Sequence, residues 1–177
     1  SYGGFVVSDY LRAYGDDGIA GVNFVGAAVV AGKPWFGSHI GADFLKYAPL
    51  AFAEDETAAR QAISDFLDVC FVKPVSAEDM AHALDWNMRV HPQVRQNLLR
   101  RTVDFTPELA KLSRPVLVSY GDRDTIMMPA MAKLIGETVP TSRLSEYAGV
   151  GHLPSMEEPA RFNEELAAFV RRCSDGK

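Results

Sequence analysis

Along the first thirty residues, an amphipathic helical pattern is followed by a short apolar run. Apolar side chains at positions 6, 7, 10, 11 and 14 recur at helical spacing, and they predict a helix with one buried face that Gly15 ends. The run from Ile19 to Gly26 is bounded by glycines and predicts a strand buried on both faces, as in a parallel sheet. A helix followed by such a strand is half of a β-α-β unit, so we expect a further strand before Ser1.

Between residues 31 and 113 the pattern is helical and contains no evident strand. Helices are predicted from Glu54 to Phe71, from Ser76 onward, and from about Pro92 to Thr102. Ser76 has the residue type of an N-cap, and Asp79 stands where a capping box places a glutamate. We therefore expect an inserted helical cap without a hydrophobic core of its own.

Strand patterns return towards the C-terminus. The β-branched run from Arg114 to Gly121 predicts a buried strand, and Ser142 to Tyr147 predicts a second one. One helix begins at Pro129, and a final helix runs from Pro159 to Cys173 with its apolar residues on one face. Strands that alternate with helices favour an α/β fold with a mostly parallel sheet.

These patterns divide the chain into three segments. Residues 1–30 and 114–177 are predicted to form the α/β core, and residues 31–113 are predicted to form the cap between them.

The composition is typical of a globular domain with no nucleic-acid or membrane partner. The chain has 177 residues, of which 47% are hydrophobic and 23% charged, and its net charge is -5. Phosphate binding needs a concentrated basic surface, and no run approaches the ~20 apolar residues that span a bilayer. Cys70 and Cys173 fit no metal-ligand spacing. We therefore expect free thiols, no metal or cofactor, and a reducing, cytoplasmic location.

Two loops that follow predicted strands carry the candidate chemistry. Asp122 and Asp124 come directly after the strand that ends at Gly121, where α/β sheets place their ligands. Taken alone, these carboxylates could equally satisfy the backbone donors of a turn. The second loop, Gly149-Val150-Gly151-His152-Leu153-Pro154, presents one histidine between a strand and the final helix.

The start of the chain supplies a third group. Ser1-Tyr2-Gly3-Gly4 matches the second half of a Gly-x-Ser-x-Gly elbow, which exposes a serine on a sharp strand-to-helix turn. A serine hydroxyl is a weak nucleophile until a neutral imidazole takes its proton, and a buried carboxylate orients that imidazole. Ser1, Asp124 and His152 therefore have the residue types of a nucleophile, an acid and a base.

The motifs around these residues resemble those of the α/β-hydrolase family, in its capped esterase, lipase and haloperoxidase-like group. The first, similar to the family's acid-bearing strand and loop, is Pro115-Val116-Leu117-Val118-x-x-Gly121-x-x-Asp124-x-x-x-x-Pro129. The second, similar to its histidine loop and final helix, is Gly151-His152-x-Pro154-x-x-Glu157-x-Pro159. The resemblance implies the family's doubly wound, mostly parallel sheet, present in part from the nucleophile serine onward, with an inserted helical cap.

The resemblance also implies a role for each group. Ser1 would be the nucleophile, Asp124 the acid and His152 the general base of a catalytic triad. The backbone N–H of Tyr2 would donate to the oxyanion, and the second donor comes in this family from a loop after an early strand, which this chain lacks. Relatives that open epoxides or remove halide have an aspartate at the elbow, so Ser1 favours acyl transfer to water.

The expected substrate is a small, largely apolar ester or related acyl compound. Apolar candidates for its pocket under the cap are Trp35, Phe36, Phe44, Met127 and Met128. Esterase, lactonase, amidase, carbon–carbon bond hydrolase and perhydrolase activities remain open. We also expect a partner segment, N-terminal to Ser1, that completes the sheet and supplies the second oxyanion donor.

Two other functions are open at this point. In an N-terminal-nucleophile hydrolase, the α-amine of the first residue acts as the base. Those folds pair antiparallel sheets, which the parallel-strand pattern disfavours. The other alternative is a non-catalytic ligand receptor that keeps the α/β-hydrolase fold and its pocket.

Overall fold

A parallel sheet lies at the centre of the computed structural model, which describes residues 1–175 apart from the side chains of Phe52, Leu99 and Asp175. The strands, in chain order, are β1 (Val22–Val25), β2 (Val30–Ala31), β3 (Val103–Asp104), β4 (Val116–Gly121) and β5 (Ser142–Tyr147). β1, β4 and β5 pair in parallel, with β4 between the other two. The predicted parallel sheet is therefore confirmed.

Helices connect and cover these strands. They are α1 (Gly3–Tyr14), α2 (Ala42–Tyr47), α3 (Glu56–Cys70), α4 (Ala77–Met88), α5 (Pro92–Leu99), α6 (Thr106–Leu109), α7 (Pro129–Thr138), α8 (Pro154–Glu157) and α9 (Pro159–Asp175). Gly15 ends α1 by donating its N–H to the Leu11 carbonyl, and Ser76 Oγ caps α4 by accepting from the Asp79 N–H at 3.0 Å, as predicted. Within residues 1–175, none of the helices has the length and apolar character required to cross a bilayer.

Side chains at alternate positions of β4 pack against opposite faces of the sheet. Val116, Val118 and Tyr120 belong to the main buried cluster, which includes apolar side chains of α1 and α7. Leu117 faces the other way and packs against Phe169 of α9. Helices thus cover both faces, which is the doubly wound arrangement expected from the sequence.

The expectation that residues 31–113 contain no strand was wrong. β2 and β3 form a two-stranded antiparallel ladder in which Val30 pairs with Asp104 and Ala31 with Val103. This ladder joins the two ends of the helical insert. Two residues per strand are too few to produce a detectable alternation of apolar and polar side chains, so the sequence pattern did not reveal it. The third predicted helix also ends earlier, at Leu99.

The cap helices share a small apolar cluster, which differs from the expected absence of a cap core. Its buried members are Ala51, Ile63, Leu67 and Ala83. It forms because α3 and α4 each have an apolar face and bury those faces against one another. At the C-terminal end of α3, Cys70 is buried in the main cluster, so the cap is continuous with the core there. The segment boundaries at residues 31 and 113 stay a prediction.

Candidate active site

Asp124 lies in the loop after β4, and backbone N–H groups of the same loop donate to its carboxylate. One carboxylate oxygen, Oδ1, accepts from the N–H of Ile126 at 2.8 Å and from that of Met127 at 2.9 Å. The residue is only 3% exposed, so these bonds replace the water that the carboxylate loses on burial. The second oxygen, Oδ2, is left free to accept from another side chain.

That side chain is His152, in the loop after β5. Its Nδ1 lies 2.8 Å from Asp124 Oδ2, and the residue is 5% exposed. An ionised carboxylate can only accept, so Nδ1 carries a proton, and in the neutral imidazole Nε2 then has the lone pair. The fold therefore brings Asp124 and His152, which the sequence predicts to act together, into direct contact.

Main-chain contacts fix the two loops to each other. A Cβ at Gly121 would collide with the carbonyl oxygens of Val150 and Gly151, so glycine permits the close approach of the two loops. Asp122 accepts from the Gly149 N–H at 2.7 Å. Asp122 thus satisfies a turn donor, which is the structural role that the sequence left open for it.

Ser1 packs against the loop that follows β1, and the same loop contacts His152. Its carbonyl accepts from the Ala28 N–H at 2.9 Å, and a Cβ at Gly4 would collide with the Ala28 carbonyl. Gly26 lies in the same loop with φ +48°, and a Cβ there would lie 2.7 Å from the His152 carbonyl oxygen and 3.0 Å from Nδ1. One short loop therefore contacts both the start of α1 and the imidazole.

The surroundings of Ser1 are consistent with this position. The residue keeps an exposed surface that opens onto the cavity described below. Among the hydrogen bonds of residues 1–175, none joins Ser1 Oγ to the His152 ring.

Tyr2 is the N-cap residue of α1, so its N–H lies at the open start of a helix. The hydrogen bonds of the described residues include none donated by this N–H, and it is available to an incoming oxygen. The phenol is anchored, because Arg101 Nη1 donates to the Tyr2 hydroxyl at 2.9 Å.

A cavity of about 660 Å³ lies between the start of α1 and the cap helices. Ser1 and Tyr2 form part of its wall, together with three of the predicted pocket residues, Phe36, Phe44 and Met127. Trp35 and Met128 are not among its lining residues. The Trp35 ring packs edge-on against His39, and Met128 precedes α7, where its N–H donates to the His39 carbonyl.

The sequence motifs did not identify other lining residues, which come mainly from the cap. Ile63 and Phe66 of α3 line the cavity. Its polar rim includes Arg95 and Gln96 of α5, which no sequence motif marked. Burial lowers the pKa of Arg95, whose guanidinium donates to the carbonyls of Ala51 and Asn87.

Residues 1–165 match the family model described as the alpha/beta hydrolase family. The chain belongs to this family. A similar member is a proline iminopeptidase of Lactobacillus delbrueckii subsp. bulgaricus, 26% identical over 192 residues that cover 96% of this chain and 63% of the relative.

Solved structures of the alpha/beta hydrolase fold are also similar. An esterase from Rhodococcus sp. ECU1013 has a TM-score of 0.86 and 32% identity, covering 97% of this chain and 62% of the esterase. A bromoperoxidase from Bacillus anthracis has a TM-score of 0.79 at 23% identity, covering 97% and 65%, a likeness of fold alone. The chain thus spans less than two thirds of the length of these relatives.

Proposed function

We propose that this chain carries the catalytic groups of a serine hydrolase that cleaves small, largely apolar esters through an acyl-enzyme. The observation that carries the proposal is the buried 2.8 Å contact between His152 Nδ1 and Asp124 Oδ2. With the proton on Nδ1, Nε2 is available as the base, and Ser1 lines a mainly apolar cavity. Membership of the alpha/beta hydrolase family supports the same reaction class.

Acylation would begin with attack of Ser1 Oγ on the ester carbonyl carbon. The hydroxyl proton passes to His152 Nε2, and Asp124 stabilises the resulting imidazolium without itself being protonated. The Tyr2 N–H donates to the oxyanion of the tetrahedral intermediate. When the carbon–oxygen bond to the leaving group breaks, His152 returns the proton and an alcohol departs.

Deacylation repeats these steps with water as the nucleophile. His152 Nε2 takes a proton from water as the oxygen attacks the acyl carbon, and the bond to Ser1 Oγ then breaks. The serine regains the proton from His152, and the free acid leaves. The same base and the same oxyanion donor therefore serve both halves of the reaction.

The cavity wall supports an ester of an apolar acid as the substrate class. Its lining is mainly aliphatic and aromatic, and the described side chains that line it include arginines but no carboxylate. A substrate with a charged amine would have no counter-charge there, and burying an unpaired charge is costly. An uncharged acyl chain fits this wall without such a cost.

A fluorophosphonate probe tests the nucleophile directly. We expect one probe molecule to attach to Ser1, and we expect p-nitrophenyl butyrate to be hydrolysed in preference to a prolyl anilide, the comparison substrate that the iminopeptidase relative suggests. The Ser1→Ala variant should lose both labelling and hydrolysis. Ser38→Ala is the matched control, because Ser38 Oγ lies 3.0 Å from His39 Nδ1 at an exposed site.

The same experiment separates the two alternatives. Full hydrolysis by His152→Ala, with Ser1 still required, would support the N-terminal-nucleophile mechanism and refute the triad. A folded protein that binds apolar esters but neither reacts with the probe nor hydrolyses them would support a ligand receptor.

A further inference from the structure

Glu157 is a buried carboxylate to which the proposed reaction assigns no role. It ends the short helix α8, five positions after His152 in the histidine-loop motif, and it is 9% exposed. Three backbone N–H groups donate to it. Its Oε1 accepts from Gly151 at 2.8 Å, and its Oε2 accepts from Val72 at 2.9 Å and Lys73 at 2.7 Å.

These three bonds join segments that are far apart in sequence. Gly151 directly precedes His152, whereas Val72 and Lys73 belong to the chain that leaves the cap helix α3. A fourth bond runs alongside, because the His152 N–H donates to the Cys70 carbonyl at 2.8 Å. The two backbones approach closely here, since a Cβ at Gly151 would lie 2.6 Å from that carbonyl oxygen.

Packing alone would not require an acid at this position. An apolar side chain could fill the space, but it would leave three N–H groups without acceptors, at a cost for each buried donor. A carboxylate is the side chain that offers two acceptor oxygens and no donor. The choice of residue therefore matches the backbone that surrounds it.

We propose that Glu157 is a positioning residue for His152. Its carboxylate joins the backbone of Gly151, the residue before His152, to the segment that follows the C-terminal end of α3. It thereby sets the position of Nε2 relative to Ser1 Oγ. The role rests on the proposed hydrolase function, because it matters for the reaction only if His152 is the base. Misplacing a catalytic group by about 1 Å can cost about 10²-fold in rate.

The decisive comparison is Glu157→Gln against Glu158→Gln in the purified protein. The first substitution would keep the side-chain volume but turn an NH₂ group towards a backbone N–H, whereas Glu158 is half-buried and pairs with the Lys73 and Arg161 side chains. For p-nitrophenyl butyrate we expect Glu157→Gln to lower kcat about tenfold to a hundredfold with KM within about twofold. Glu158→Gln should keep the parent kcat. Equal kcat values in the two folded variants would overturn the proposal.

A second readout does not depend on turnover. The proton shared by His152 Nδ1 and Asp124 should give a low-field resonance in the parent protein and in Glu158→Gln, and this signal should shift or broaden in Glu157→Gln. If the parent shows the resonance but hydrolyses no ester, the proposed function fails while the positioning role stands. An unchanged resonance in folded Glu157→Gln would refute positioning whatever the activity.

The Glu157→Asp variant distinguishes a positioning role of Glu157 from a role in folding. It keeps the charge but is one methylene too short to reach both segments, so we expect a smaller loss of kcat than in Glu157→Gln. If both variants unfold at the assay temperature while Glu158→Gln stays folded, Glu157 is a folding element and the positioning proposal is wrong.

Discussion

The core and the cap are built by different kinds of contact. On the core side, the loops after β1, β4 and β5 hold Asp124 and His152 through backbone hydrogen bonds and through glycines that permit main-chain contact. On the cap side, apolar side chains of α2, α3 and α5 line the cavity, and polar contacts such as the exposed Arg60–Asp85 pair at 3.2 Å are made by side chains. In the core, main-chain contacts therefore set the geometry of the Asp124–His152 pair. In the cap, replaceable side chains set the shape of the cavity wall.

This difference explains how one fold can combine precise chemistry with adjustable binding. Main-chain contacts hardly change when a neighbouring side chain is replaced, so the Asp124–His152 pair keeps its geometry. Apolar side chains on helices define only shape and volume, and such surfaces tolerate substitution of similar size. Changes on the two sides should therefore have different effects.

Replacing the acid should almost abolish turnover. In Asp124→Asn the amide favours the wrong imidazole tautomer, so we expect kcat for p-nitrophenyl butyrate to fall about 10⁴-fold. The matched control is His82→Ala on the cap, where the ring stacks on Trp86, and its kcat should equal that of the parent. A loss of less than tenfold in Asp124→Asn would show that the core side does not carry the chemistry.

The reactivity of the Cys70 thiol tests whether the C-terminal end of α3 is fixed to the core. Burial and then the Asp124 carboxylate raise the pKa of Cys70 to about 12 from the ordinary thiol value of 9.0. Because only the thiolate reacts, we expect native Cys70 to react with iodoacetamide at pH 8 about 10³-fold more slowly than in the urea-unfolded chain. Peptide mapping by mass spectrometry measures this ratio. Rapid labelling in the native protein would mean that the cap moves freely away from the core.

Gly26→Ala should disturb the imidazole while Gly149→Ala should not. Both glycines have positive φ, +48° and +68°, so alanine at either site costs about 1–2 kcal/mol of backbone strain. Only a Cβ at Gly26 meets His152, whereas the corresponding position at Gly149 has nothing within 4 Å. We expect kcat to fall about 10²-fold in Gly26→Ala alone. Equal kcat values at equal stability would contradict a main-chain origin of the geometry.

Phe44→Ala should alter substrate preference more than chemistry. The Phe44 ring lines the cavity, and its loss should lower kcat/KM for a p-nitrophenyl octanoate about tenfold relative to the acetate, whose acyl group has no chain to bury. Trp86→Ala is the control, because Trp86 is 63% exposed on the outside of the cap. If both esters lose activity equally in Phe44→Ala, the cap side cannot be treated as a separate binding surface.

Charged pairs in the cap and in the core should contribute differently to the free energy of unfolding. Arg60→Met on the cap should change the free energy of unfolding in urea by less than about 1 kcal/mol, because exposed pairs contribute little. Arg161→Met should cost about 2 kcal/mol, because Arg161 donates to Glu165 and the Glu146 carbonyl and stacks 3.9 Å from the Tyr147 ring centroid. Similar losses in the two variants would contradict the comparison.

The core side could be predicted from the sequence because its signals are local. A buried strand, a terminal glycine and a carboxylate three residues later identify Asp124, and a glycine-rich loop before a final helix identifies His152. Glu157 was visible in the same motif, but its partners at Val72 and Lys73 are 85 and 84 positions away. A bond between such distant segments leaves no periodic trace in the chain.

The cap side could be predicted only in outline. Helical spacing located α3 to α5, yet it could not distinguish Phe36, which lines the cavity, from Trp35, which packs on His39. The two residues are adjacent, and only the turn of the backbone between them decides which one faces the cavity. The ladder of β2 and β3 was missed for a related reason, because its pairing depends on the path of the whole insert.

The glycines at positions 4, 26 and 121 have a practical consequence for altering selectivity. Each touches main chain or the imidazole where a single added carbon would collide. Randomised libraries aimed at these positions should therefore yield mostly inactive clones. The productive sequence space lies on the opposite wall, at Phe44, Ile63 and Phe66, where a change of volume reshapes the cavity without moving the base.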